Sequence, residues 1–118
     1  MKQSRIQTLN LRRKSVTKDN EGVPIVSYGS LTPIEAETWP AGGELQAQTY
    51  GDKVNRMINV RIKGAYEIII EDDHEAYKYD TFTLCEGDGL CIHRTDKPDY
   101  RIISIKPYKP LRLEAEKI

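Results

Sequence analysis

The chain has 118 residues, 38% hydrophobic and 31% charged, which fits one globular domain with a single core and a broad polar surface. Eighteen basic residues cancel eighteen acidic ones, a balance that argues against the sequence-independent phosphate binding of a strongly basic domain. No apolar run exceeds Ile68, Ile69, Ile70, far short of the about 20 residues of a membrane helix; Met1 to Arg5 lead into no apolar signal segment, so cytosolic synthesis is expected.

Taken in chain order, the dominant pattern is the period-two alternation of half-buried strands. Leu9, Leu11 and Arg13 alternate with Thr8, Asn10 and Arg12 in a run that stops at the Asp19, Asn20, Glu21, Gly22 turn. Ile34, Ala36 and Thr38 alternate with Glu35, Glu37 and Trp39. The next segment, Pro40, Ala41, Gly42, Gly43, Glu44, Leu45, Gln46, Ala47, reads as neither strand nor hairpin turn. Pro40 removes a backbone donor and ends strand pairing, two glycines free the backbone, and Glu44 to Tyr50 can make one or two helical turns before Gly51 stops them. A connection this long between strands is commonly functional, because hairpin loops are usually about 2 to 5 residues.

Ile58, Val60 and Ile62 alternate with Asn59, Arg61 and Lys63, the cleanest amphipathic strand. Residues 71–79 read as one helical turn or an acidic loop. Phe82 and Leu84 sit between Thr81, Thr83 and Cys85, ahead of a turn signal at Glu86, Gly87, Asp88, Gly89. Ile103 and Ile105 alternate with Ile102 and Ser104. Pro107 and Pro110 bracket Tyr108 and predict a kink before a last strand in which Leu111, Leu113 and Ala115 alternate with Arg112, Glu114 and Glu116. Six or more short strands with Gly and Asp turns predict an all-β fold, a small antiparallel barrel or sandwich with one short helix in a long loop.

The residues around Trp39 carry a resemblance. An acidic residue and Trp closing a strand, then Pro40 to Ala47, then a strand with Arg and Ile, resembles the head-tail joining proteins of tailed bacteriophages, also called head-closure or stopper proteins. The similarity extends to the amino-terminal strand with its Asp19 to Gly22 turn and to the Asp99, Tyr100, Arg101, Ile102, Ile103, Ser104, Ile105 strand. It implies a small barrel that assembles as a ring of its own copies beneath the head-tail adaptor and portal proteins. It also implies closure of the channel over packaged DNA and a docking surface for the tail completion or terminator protein. The resemblance maps the family's closing loop onto residues 40–55, beginning at Pro40, with Gly42 and Gly43 as hinge and Glu44 to Gly51, Gln46, Gln48 and Tyr50 among them, as the part that can point into the channel. On this reading the protein is a non-enzymatic part of the virion neck, made in the host cytoplasm, with no cofactor and no membrane partner. The isolated chain is expected to be monomeric or weakly associated, and residues 40–55 to be mobile.

The charges are segregated. Residues 1–18 carry Lys2, Arg5, Arg12, Arg13, Lys14 and Lys18 with no acid, whereas residues 67–88 carry eight acids against Lys78. Arg12, Arg13 and Lys14 are therefore the candidate contacts to a neighbouring subunit or the adaptor, with Asp72, Asp73 and Glu75 as their counterparts; the alternative is two solvated loops. Asp72, Asp73, His74 and Glu75 lack calcium-loop or His-Glu-x-x-His spacing, so a solvated acidic loop is favoured over a metal site. Five residues separate Cys85 from Cys91, with His93 following, a spacing wider than zinc knuckles use, and the two read as small apolar residues flanking a turn. No phosphate-cradling glycine motif is present. The competing function is a small-barrel module that binds single-stranded nucleic acid or a peptide, with Arg12, Arg13 and Lys14 beside Tyr28 or Tyr50 imitating a stacking groove.

Overall fold

The computed structural model describes residues 6–71 and 73–118. In chain order its strands are β1 (Ile6–Arg12), β2 (Lys14–Lys18), β3 (Pro24–Tyr28), β4 (Thr32–Pro40), β5 (Met57–Ile62), β6 (Glu67–Glu71), β7 (His74–Lys78), β8 (Thr83–Leu84), β9 (Gly89–Cys91), β10 (Tyr100–Lys106) and β11 (Leu111–Lys117). Helix α1 (Glu44–Tyr50) and a 3-10 helix (Gly51–Arg56) lie between β4 and β5. Six strands close into an antiparallel barrel in the order β1, β4, β5, β11, β10, β9, with β9 returning to β1. The all-β barrel with one short helix in a long loop is thus the fold that the alternation predicts.

Alternation places one face of each strand inside. Leu9, Leu11, Ile34, Ala36, Val60, Ile62, Leu90, Leu111, Leu113 and Ala115 are all buried in one core. Strand β10 departs from strict alternation: its register against β11 shifts between Ile102 and Ser104. The extra residue lets Ile102 and Ile105, three apart, both point inward, so the expected pairing of Ile103 with Ile105 on one face is corrected to Ile102 with Ile105.

Two structures project from the barrel. Strands β2 and β3 form a hairpin arm whose turn is tied by Asp19, with Oδ1 accepting from the amides of Glu21 and Val23, both at 2.9 Å. The arm buries almost nothing, and Val16, Ile25 and Val26 remain about half exposed. Strands β6, β7 and β8 form a separate three-stranded sheet. Within 71–79, expected as a helical turn or loop, His74–Lys78 form a strand: Ala76 and Tyr77 are buried, and their cross-strand pairing with Ile69 and Ile68 outweighs the acidic composition. This sheet is fastened by aromatic contacts. Tyr79 stacks on Phe82 at 4.6 Å, Tyr66 packs on Tyr77 and Tyr79, and the Tyr79 hydroxyl donates to the Ile62 carbonyl at 3.2 Å.

Candidate closure loop and charged contacts

The connection from β4 to β5 is built from the glycine positions outward. Pro40 still faces Ile58 in the strand pair, and the Ala41 amide donates to the Met57 carbonyl at 3.1 Å before the chain leaves the barrel. Gly43, at φ 91°, and Gly51, at φ 59°, adopt backbone conformations that side chains resist, and they bound α1 at both ends.

Helix α1 has no buried residue, and Leu45 is 79% exposed, so apolar packing does not hold it. Polar contacts do. Gln46 Nε2 donates to Glu114 Oε2 at 2.8 Å and to Asn59 Oδ1 at 2.7 Å, while its Oε1 accepts from the Gly42 amide at 3.0 Å. The Tyr50 hydroxyl donates to Glu114 Oε1 at 2.8 Å, and Lys106 Nζ lies 3.4 Å from the same oxygen. Glu114 points out of the barrel wall yet is buried, because α1 covers it. Burial would raise its pKa, but the donors Gln46 and Tyr50 and the Lys106 charge outweigh that and lower it. Tyr50 is raised, by burial first and then by the carboxylate that it serves.

In the segment expected to be mobile, residues 40–55, one buried carboxylate and two side chains, Gln46 and Tyr50, dock the helix on the wall. Gly42, Glu44 and Gln48 remain exposed. Between the segment and the barrel runs a groove of about 490 Å³, lined by Trp39, Leu45, Lys106, Tyr108 and Arg112 among others. The Trp39 ring has the guanidinium groups of Arg61 at 5.9 Å and Arg112 at 5.6 Å. Sequence reasoning missed Glu114, since in β11 it alternates with Leu113 and Ala115 as a solvent-facing residue would. Its one readable signal is an outward acid of the last strand beneath a helix that carries Gln and Tyr four residues apart.

The charged candidates divide. Arg13 is used inside the chain: it pairs with Glu71, and its Nε lies 2.8 Å from Asp88 Oδ2. Asp88 is fully buried and accepts from the amides of Lys14 and Cys85, both at 2.9 Å. Burial raises its pKa, against the pull of those amides and of Arg13. Arg12 donates to the Thr95 carbonyl at 2.9 Å. Lys14, His74, Glu75, Tyr77, Cys85 and Glu86 line one hollow of about 310 Å³, so Lys14 and Glu75 are brought together. Asp73 occupies the β6–β7 turn at φ 65°, away from that hollow. Asp72, Lys2 and Arg5 lie outside the described residues. Cys85 and Cys91 are free thiols, both pushed up by burial. Among the described residues no three His, Cys, Asp or Glu side chains gather as a metal site, and no helix is long and apolar enough to cross a membrane.

Comparison with known proteins gave no match: no family model, curated protein or solved structure matches the chain.

Proposed function

We propose that this chain is a structural neck component of a tailed phage or prophage, a barrel that joins the portal and adaptor complex to the tail and closes the DNA channel. The observation that carries the reading is the β4–β5 segment: a short exposed helix between glycine hinges, held to a rigid barrel by one carboxylate. Such a segment is a latch. Its docked state rests on hydrogen bonds to Glu114, which a new partner for Gln46, Tyr50 or Glu114 can replace at small net cost. Undocked, Gly42, Gly43 and Gly51 let α1 swing out, with Glu44 and Gln48 leading into the channel. The zero net charge of the chain suits a wall that DNA must pass without sticking.

The test replaces residues 42–56 by an Asn-Gly turn in the gene of an inducible prophage that carries this protein. Heads are expected to fill and then lose their DNA. Full yields of DNA-retaining particles from the variant would overturn the closure role, and normal particles from a strain lacking the gene altogether would overturn the neck assignment.

A specific observation also favours the second reading, a binding module. The groove offers Trp39 and Tyr108 beside Arg112 and Lys106, a pattern able to stack bases or hold a peptide. A gel shift against single-stranded DNA over a salt series separates the two: a stacking module binds with a salt slope, and a neck protein does not bind.

A further inference from the structure

The barrel is closed, but the two projecting structures are not. Strand β6 reads Glu67, Ile68, Ile69, Ile70, Glu71 and forms the end of its sheet; among the described residues its outer edge pairs with no strand. Ile68 is 51% and Ile70 70% exposed. Strand β2 reads Lys14, Ser15, Val16, Thr17, Lys18, pairs only with β3 among the described residues, and leaves Val16 55% exposed. Open apolar edges of this kind are templates for another strand, and proteins normally cover or blunt them.

We propose that β2 of one copy adds to the β6 edge of the next, so that copies of this chain join head to tail through a shared sheet. Both strands are five residues long with like charges at the two ends; between them lie three isoleucines in β6 and Ser15, Val16 and Thr17 in β2. Period two puts Lys14, Val16 and Lys18 on one face of β2, and Glu67, Ile69 and Glu71 on one face of β6. In the antiparallel register Val16 meets Ile69 and Lys18 meets Glu67, while Ser15 and Thr17 cover Ile70 and Ile68; at the other end Lys14 lies opposite Glu71, which Arg13 of its own chain already pairs, so the Lys18–Glu67 pair carries the charge match. Opposite charges directly across a pair stabilise it, and like charges oppose it.

The same rule selects the partner. Two β6 edges brought together antiparallel would set Glu67 against Glu71, and two β2 edges Lys14 against Lys18, so the two self-symmetric contacts are disfavoured. The outer edge of β3 is the poorer donor, since Pro24 has no amide hydrogen at its start. A contact between two different patches does not terminate at a dimer: it closes into a ring or grows as a filament. The arm, which buries almost nothing in its own chain, gains a surface to cover. Its evidence is the two strands alone, so it stands or falls apart from the neck reading.

Sedimentation velocity of the purified full chain, at low salt and from about 10 µM to 1 mM, reads the contact directly. Lys18 and Glu67 are exposed, and far-UV circular dichroism confirms that their variants fold. The wild type should associate reversibly with rising concentration. K18E and E67K should each weaken association about tenfold, and the K18E/E67K double variant should restore it to within about twofold. A wild type that stays monomeric throughout, single variants that associate as well as it does, or a double variant no better than the singles would each overturn the proposal.

Discussion

Asp88 and Glu114 are both buried carboxylates, and their surroundings move them in opposite directions. Asp88 is raised, burial outweighing the amides of Lys14 and Cys85 and the guanidinium of Arg13. A raised carboxyl takes up its proton in the folded protein first, so its contribution is present below the unfolded pKa and lost as the pH rises through the folded one. Acid therefore does not loosen the Asp88 cluster first. What Asp88 does at neutral pH is accept from two amides, of Lys14 and Cys85, at the turn carrying Gly87 and Gly89. Asp88→Ala takes that acceptor from both and strands Arg13 on Glu71 alone. Arg13 is one-third exposed, which discounts the ionic part, and the loss expected in urea denaturation is about 2 to 4 kcal/mol. A change below about 0.5 kcal/mol would mean that water replaces the carboxylate without cost.

At the scale of elements, α1 is the segment that acid should release. The pKa of Glu114 in the folded protein is below the ordinary 4.5, so the stability that it lends is present above that value and lost as the pH falls through the folded value. Amide exchange on α1 should accelerate as the pH is lowered from about 6 to 3, relative to the intrinsic rate, while β5 and β11 stay protected. Glu114→Gln should bring the same release at neutral pH, at a cost of about 1 to 2 kcal/mol. Equal protection of α1 in that variant would remove Glu114 as its anchor. The sequence already held α1 to its residue, because Gly43 and Gly51 bound a run free of breakers, and it held five of the six barrel strands through inward Leu, Ile, Val and Ala. It did not reveal the bulge at Ile103, since Ile at 102, 103 and 105 suits either face. Nor did it reveal β7, where Asp73, His74 and Glu75 carry loop-like composition into a strand whose burial comes only from Ala76 and Tyr77. The dock on Glu114 was illegible for a different reason: it joins residues 46 and 114, and only barrel closure brings β5 and β11 side by side beneath the helix.

For the molecule as a whole, closure of the barrel separates what folds from what reaches outward. The core lies mainly inside six strands whose edges are all used, extended by Tyr77, Tyr79 and Leu84 from residues 77–84, whereas the β4–β5 segment, the β2–β3 arm and the β6 edge contribute little to it. Replacing residues 42–56 by an Asn-Gly turn should therefore leave a folded barrel, with a Tm within about 5 °C of the wild type and unchanged strand content by circular dichroism. Failure to fold would show that the segment belongs to the structural unit. The position of Trp39 has an optical consequence. It is the single tryptophan among seven tyrosines, and it lies not in the core but at the rim of the groove, with two guanidinium groups nearby and residues 42–45 of the segment alongside. Emission excited at the indole band thus comes from one site, and that site is the seat of the latch. The chain carries its own intrinsic fluorescent reporter of docking, readable without a label, against a barrel that is silent at the same wavelength.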